Sequence, residues 1–361
     1  MPLLTPSTFR DIVSGRRRGV AAGLLRGLLR LGEFFYATAV RWRNRRYDRS
    51  PTAAVHVGVP VVSVGNLTLG GTGKTPTVQW IARWFQNRGV AAAVVSRGYG
   101  ATAGEKNDEA LELRRLLPDV PHVQNPDRVA AAREAISAFG SRLIVLDDGF
   151  QHRRIARDLD IVLLDALEPF GFEHVFPRGT LREPIEGLRR ADVMILSRAD
   201  LLDSAGRDAI WQVVARYAPN AIRVEAIHAP LALISADGRR TPLDAIRGRR
   251  VAAFCGIGNP TGFRHTLEAC GCEVIAHREF PDHHRYTPED VDRLAEWSAA
   301  MDVSAAVCTC KDLVKLPIEQ LGGRPLWGVQ IEMQFLAGQK ELESRLRQLT
   351  VPTRGSSPAS S

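Results

Sequence analysis

The chain has 361 residues, of which 45% are hydrophobic and 24% charged. This balance is typical of a globular protein and excludes a predominantly disordered one. So long a chain exceeds what one compact core usually absorbs, which predicts two domains of ordinary size. The formal net charge of +8 favours anionic partners, namely nucleic acid, anionic lipid or phosphorylated small molecules, without choosing among them.

The N-terminal segment is both basic and apolar. Its arginines are Arg10, Arg16, Arg17, Arg18, Arg26, Arg30, Arg41, Arg43, Arg45, Arg46 and Arg49. Two of them and Glu33 interrupt the apolar stretch from Gly19 to Val40, so it is not predicted to cross a bilayer. Residues 1–50 are predicted to form an amphipathic helix at a membrane surface, with an apolar face of Leu24, Leu25, Leu28, Leu31 and Phe35. Two alternatives are a helix packed on the protein's own core and a signal peptide.

The remaining chain alternates short β-branched runs with helical stretches, which is typical of a parallel α/β sheet. The first predicted strands are Val61–Val64, Ala92–Ser96, Leu143–Leu146, Ile161–Leu164 and Val193–Leu196. A hairpin is predicted from Leu231 to Thr241, followed by the strands Val251–Cys255, Glu273–His277, Ala305–Thr309 and Trp327–Ile331. The resulting boundaries are an α/β domain at 51–228, a linker hairpin at 229–245, a smaller α/β domain at 246–350 and a disordered tail at 351–361.

The segment from Val61 to Pro76 is a strand, a glycine-rich turn and a helix start. The turn contains Gly70, Gly71, Thr72, Gly73, Lys74 and Thr75. Backbone N–H groups of such a turn close around phosphates, with Lys74 reaching the β- and γ-phosphates and Thr75 on Mg²⁺. ATP and Mg²⁺ are the predicted cofactors, although Thr68 stands where the Walker A pattern has its first glycine. The alternative is a glycine-rich turn with an incidental lysine.

Two adjacent carboxylates, Asp147 and Asp148, follow the apolar run that begins at Leu143. Ligands of an open parallel sheet lie beyond the carboxyl ends of its strands, so these acids and the phosphate loop should share one crevice. Asp147 and Asp148 are therefore predicted metal ligands, directly or through water, rather than simple turn formers.

The five cysteines all lie in the last third of the chain: Cys255, Cys270, Cys272, Cys308 and Cys310. Their odd number, with no secretory signal ahead of them, favours a reducing compartment. The two Cys-x-Cys pairs are spaced more closely than usual zinc ligands, and the interpretation preferred here is core packing.

Several motifs together resemble one family, tetraacyldisaccharide 4′-kinase, which phosphorylates the disaccharide precursor of lipid A. They are Ser63–Asn66, Ser96–Gly100, Asn107–Ala110, Asp147–His152, Arg178–Pro184, Gly256–Pro260, Phe280–His284 and Thr309–Leu316. The resemblance implies transfer of the γ-phosphate of ATP to the 4′-hydroxyl of tetraacyldisaccharide 1-phosphate. It also implies a P-loop NTPase-like parallel sheet flanked by helices, a second smaller α/β domain with the substrate cleft between the two, and a membrane-associated N-terminal helix.

The implied partners are the acylated disaccharide lipid and an anionic membrane surface, with no nucleic acid and no obligate protein partner. The implied location is the cytoplasmic face of the inner membrane, with peripheral or monotopic attachment. Arginines interleaved with an apolar helix face also suit lipid better than nucleic acid.

The resemblance further points to Asp108 and His283 as the groups that prepare the sugar hydroxyl, alongside Lys74. A carboxylate can accept the hydroxyl proton while an imidazole orients that carboxylate. Arg182 and Glu183 are placed near the substrate or metal. The alternatives are a helix cap for Asp108, a loop histidine for His283, and a surface ion pair for Arg182 with Glu183.

Two departures from the family pattern are Asn107, where glycine is frequent, and Cys310, where glutamate is usual. The alternative functions are another membrane-associated P-loop kinase, a SIMIBI-type nucleotide hydrolase and a membrane-bound ATP switch that recruits partners. Phosphate transfer to a lipid acceptor distinguishes the first interpretation from the others.

Overall fold

The structure is a computed structural model that describes residues 6–50, 53–98 and 108–350, with Pro6, Ser7, Asp108 and Glu109 described by their backbone alone. The helices are α1 (Pro6–Val13), α2 (Val20–Arg49), α3 (Lys74–Gln86), α4 (Asp108–Leu116), α5 (Arg128–Phe139), α6 (Ser204–Tyr217), α7 (Pro260–Ala269), α8 (Pro288–Ala299), α9 (Cys310–Leu313) and α10 (Gln339–Gln348). The strands are β1 (Val61–Asn66), β2 (Ala92–Ser96), β3 (His122–Gln124), β4 (Leu143–Asp147), β5 (Leu159–Asp165), β6 (Val193–Ser197), β7 (Ile222–Ile234), β8 (Arg240–Thr241), β9 (Arg250–Cys255), β10 (Glu273–Glu279), β11 (Ala305–Thr309), β12 (Gln320–Leu321) and β13 (Arg324–Ala337).

The strands form one sheet in the order β10-β9-β11-β13-β7-β6-β5-β1-β4-β2-β3. Most neighbours are parallel, including β1 with both β4 and β5. The predicted class, a mostly parallel sheet flanked by helices, is confirmed.

Strand β7 joins the two series of parallel strands. Residues from Ile222 pair in parallel with β6, and residues up to Ile234 pair antiparallel with β13. The end of β7 then pairs with β8, which forms the hairpin predicted from Leu231 to Thr241. The expected domain boundary at 228 falls within this strand, and the division into domains stays a prediction.

The centre of the sheet explains the position of the phosphate loop. All residues of β1 and β4 are buried, as expected for strands covered by helices on both faces. Helix α3 covers one face with Val78, Ile81 and Phe85, none of which is exposed. Because β1 and β4 are parallel neighbours, the loop after β1 and the acids after β4 emerge at the same edge.

Helix α2 rests on the protein through small residues and leaves its leucine face in solvent. Ala22, Ala37 and Val40 are buried, whereas Leu28 is 67% and Phe35 64% exposed. The helix therefore does contact the core through Ala37, as the alternative of a helix packed on the protein expects, but most of its leucine face lies outside that contact. Among the helices of residues 6–50, 53–98 and 108–350, none is long and apolar enough to span a membrane.

The cysteines contribute to the core of the C-terminal half. Cys255, Cys270 and Cys308 are buried, and burial raises the pKa of the Cys255 thiol to about 12. Within the part of the chain that the structure describes, no group of three or more His, Cys, Asp or Glu side chains is arranged to hold a metal ion.

Candidate active site

The phosphate loop leads directly into α3. Gly73 has a φ of 87°, a left-handed conformation that glycine adopts without steric cost, and Lys74 is the first helical residue. The side chain of Asn66 supports the loop from below, since its Nδ2 donates to the Thr68 carbonyl over 2.8 Å. Backbone N–H groups at the helix N-terminus thus face the cleft, as an anion site requires.

Lys74, Asp148 and Arg182 form a charged cluster at this loop. Lys74 Nζ donates to Asn66 Oδ1 over 3.2 Å and lies 3.5 Å from Asp148 Oδ1. Arg182 Nη1 donates to both Asp148 oxygens, over 2.7 and 2.8 Å. Burial alone would raise the pKa of Asp148, but the two cations outweigh it and lower the pKa to about 2. The cluster therefore carries one net positive charge, which suits a phosphate.

The predicted metal ligands differ in position. Thr75 and Asp148 line the cleft, whereas Asp147 ends β4 beside Val64 and is buried behind them. Hydroxyl and carboxylate oxygens are the hard donors that Mg²⁺ prefers, and one or two of them suffice when phosphates and water complete the octahedron. The donor set present therefore fits Mg²⁺ bound together with a nucleotide.

Arg182 and Glu183 face different ways. The Arg182 N–H donates to the Leu67 carbonyl over 2.8 Å, which aligns this loop with the phosphate loop, and the Arg182 side chain lines the cleft. Glu183 is fully buried. It accepts from Arg190 over 2.9 and 3.0 Å and from Asn44 of α2 over 2.8 Å. The structure thus brings Arg182 to the nucleotide side and uses Glu183 to hold α2, away from the cleft.

His283 lies in the loop after β10, which forms another wall of the same cleft. Its φ is 60° and about half of its side chain is exposed. Lys311 Nζ lies 3.3 Å from His283 Nε2 and donates to Asp282 Oδ1 over 2.9 Å. The structure therefore brings His283 to the cleft that holds the phosphate loop, although the two lie far apart in the sequence.

Asp108 is the first residue of α4, and its side chain lies outside the described residues. Asn107 and the end of the Ser96–Gly100 motif also lie outside them. Further along α4, Leu111 and Glu112 line the cleft, and the helix contacts α9. The helix that carries Asp108 therefore borders the same space as His283.

Two residues that contact the phosphate loop, His228 and Arg198, were not predicted from the sequence. His228 of β7 packs against the phosphate loop so closely that a Cβ on Gly73 would lie 2.2 Å from its Nε2. Burial lowers the pKa of His228 to about 3, with Arg198 adding to the effect, so the ring is neutral. Arg198 donates to the Gly71 carbonyl over 2.8 Å and pairs with Asp165. Arg198 follows the carboxyl end of β6, a signal that could have found it, whereas nothing in the sequence around His228 indicates its position.

The cleft between these walls has a volume of about 1540 Å³. Ordinary small-molecule pockets occupy about 300–1,000 Å³, so this one has room for two substrates. Its lining is rich in arginine and includes Tyr36 and Arg43 of α2. The cleft thus runs from the phosphate loop to the helix with the exposed leucine face.

The sheet, the phosphate loop and the charged cluster define a P-loop nucleotide-binding enzyme. A family model described as tetraacyldisaccharide-1-P 4′-kinase matches residues 25–350. The tetraacyldisaccharide 4′-kinase of Anaeromyxobacter dehalogenans (strain 2CP-C) is 42% identical over 92% of this chain and 93% of its own length. That of Syntrophus aciditrophicus (strain SB) is 39% identical over 85% of this chain and 88% of its own.

A solved structure agrees. The crystal structure of LpxK from Aquifex aeolicus in complex with ATP is similar with a TM-score of 0.71 and 26% sequence identity, covering 91% of this chain and all of that one. The chain belongs to the tetraacyldisaccharide 4′-kinase family, and the resemblance that its motifs indicated is confirmed.

Proposed function

We propose that this protein transfers the γ-phosphate of ATP to the 4′-hydroxyl of tetraacyldisaccharide 1-phosphate, the lipid A precursor. The relatives carry the name of that kinase, and the similar Aquifex aeolicus structure is a complex with ATP. The observation that supports the proposal most is one cleft that is lined by both the phosphate loop and His283 and is bordered by an apolar helix face.

On the donor side, the loop N–H groups and Lys74 hold the β- and γ-phosphates. Arg182 adds a second cation, and its Nη1 donates to both Asp148 oxygens, which together with Lys74 keeps that carboxylate ionised. Mg²⁺ bound with ATP would be held by Thr75 and Asp148, with Asp147 buried behind them, and it would supply charge neutralisation on the phosphates. Such positioning and charge stabilisation account for most of the catalysis of phosphoryl transfer.

On the acceptor side, Asp108 accepts the hydroxyl proton as the phosphoryl group is transferred, and His283 orients it. The location of α4 along the cleft and the presence of His283 in the same cleft as the phosphate loop support this assignment. A hydrolase would need only a residue that positions water, so a histidine available to orient a hydroxyl-activating carboxylate favours transfer.

The lipid reaches the cleft from a membrane surface. Phe34, Phe35 and three leucines of α2 (Leu24, Leu28 and Leu31) are exposed, while Tyr36 and Arg43 of the same helix line the cleft. We infer that the apolar face and its arginines hold the protein peripherally on the anionic cytoplasmic face of the inner membrane. The acyl chains then stay in the bilayer while the sugar enters the cleft.

The test is a transfer assay with labelled ATP, Mg²⁺ and the disaccharide 1-phosphate in vesicles. Label should enter the lipid phase with the wild-type protein, and Lys74→Ala should lower the rate by at least about 10²-fold, as expected on losing a key charge-stabilising group. Lys340→Ala is the matched control, because Lys340 is exposed on α10. Label released only as inorganic phosphate would contradict kinase activity. Full activity of Lys74→Ala at saturating ATP would contradict the phosphate-loop assignment.

A further inference from the structure

Lys311 contacts the side chains of two neighbouring residues in the Phe280–His284 motif, Asp282 and His283. Its Nζ donates to Asp282 Oδ1 over 2.9 Å and lies 3.3 Å from His283 Nε2. The Lys311 side chain is only 16% exposed, against 39% for Asp282 and 51% for His283. The lysine is therefore more enclosed than either partner, unlike the lysine of an ordinary surface ion pair.

The backbone of Lys311 is held in place by buried groups. Thr309 caps α9 by accepting from the Asp312 N–H over 3.1 Å. The fully buried Asp312 accepts from Thr309 Oγ1 over 2.6 Å and from the Gly256 N–H over 3.0 Å. A second lysine, Lys315, donates to the His284 carbonyl over 3.0 Å. The short helix and the residues just after it thus hold the 281–284 loop at two points, with Lys311 on the cleft side.

The hydrogen-bond chemistry of Lys311 defines the tautomer of His283. An ammonium group only donates, so His283 Nε2 must accept and the neutral ring carries its proton on Nδ1. A ring in this state can donate from Nδ1 to a carboxylate and orient it. We propose that Lys311 is a positioning residue for the phosphoryl transfer, keeping His283 in this tautomer and Asp282 neutralised. The inference rests on the proposed function.

The second effect concerns the phosphates. A Cβ on Gly258 would lie 3.0 Å from Asp282 Oδ2 and 3.5 Å from the Gly71 nitrogen, so this carboxylate stands across Gly258 from the phosphate loop. An unneutralised carboxylate at that place repels the transferred phosphoryl group. The Lys311 ammonium, in contact with the other Asp282 oxygen, offsets this charge.

The experiment compares Lys311→Met, Lys311→Arg and the control Lys340→Met in the full-length protein, with disaccharide 1-phosphate in vesicles. Lys311→Met should lower kcat about 10- to 100-fold, the scale expected when a catalytic group is misplaced, with a much smaller change in KM for ATP. Lys311→Arg should retain more activity because it keeps the charge. In combination with His283→Ala, Lys311→Met should cause less than the product of the two single losses, since the effect on the tautomer is already lost and only the effect on Asp282 remains.

A kcat of Lys311→Met within about twofold of wild type, or multiplicative losses in the double variant, would overturn the proposal. Loss of ATP binding together with a lowered melting temperature in both Lys311 variants would also overturn it, in favour of a structural role. Absence of lipid phosphorylation by the wild-type protein would instead contradict the proposed function itself, so the two failures are distinguishable.

Discussion

The contact between His228 and the phosphate loop predicts an unusual effect of adding one methyl group. Gly73 has a φ of 87°, and forcing an L residue into this left-handed conformation costs about 1–2 kcal/mol of folding free energy. The new Cβ would also lie 2.2 Å from His228 Nε2 and 2.3 Å from its Cε1, far inside van der Waals contact. Overpacking of this kind costs about 1–3 kcal/mol. We therefore expect Gly73→Ala to lower the free energy of unfolding by about 2–5 kcal/mol.

The two contributions can be separated by His228→Ala, which removes the ring but leaves the backbone strain. The double variant Gly73→Ala/His228→Ala should be more stable than the sum of the single effects predicts, by about 1–3 kcal/mol, because the overlap is absent. Urea denaturation of the full-length protein measures these values, and binding of a fluorescent ATP analogue reports on the loop. Gly71→Ala is the matched control for stability, since its Cβ would meet no atom within 4 Å. Additive destabilisation by Gly73→Ala and His228→Ala would refute the argument.

The remaining predictions concern the membrane and the acceptor. Replacing Leu28 and Phe35 together by serine should weaken flotation with anionic vesicles. The melting temperature should stay unchanged, because both side chains are largely exposed. Unchanged flotation would contradict a membrane role for this face. Asp108→Ala should lower kcat by about 10²–10⁴ while ATP binding changes little. The double variant Asp108→Ala/His283→Ala should show a kcat loss much smaller than the product of the two single losses. If Asp108→Ala instead lowered the melting temperature and kept the wild-type kcat, Asp108 would be a helix cap.

Local sequence patterns determined the parts of this protein that depend on neighbouring residues. The phosphate loop was predictable because a buried strand, a glycine-rich turn and a helix start follow each other within Val61–Pro76. The helix begins at Lys74, slightly ahead of the predicted start near Pro76. The amphipathic α2 was predictable for the same reason, since its arginines recur at helical spacing within an apolar stretch and leave the leucines on one face.

The pairing of strands decided what the local patterns could not. Arg182 reaches Asp148, and Glu183 turns inward to Arg190, although the two are adjacent in the sequence and were expected to act together. Their opposite directions depend on how one loop lies against the phosphate loop, and no local pattern encodes that.

His228 shows the same limit most clearly. It lies in an otherwise ordinary strand, and only the pairing of β7 between β6 and β13 brings it against Gly73. The sequence by itself determined that the site is a phosphate loop and predicted which residues contact phosphate and Mg²⁺, because these residues lie in short contiguous motifs. The tertiary structure alone decided which distant side chains support them, because sheet order and register bring together residues that have no relation along the chain.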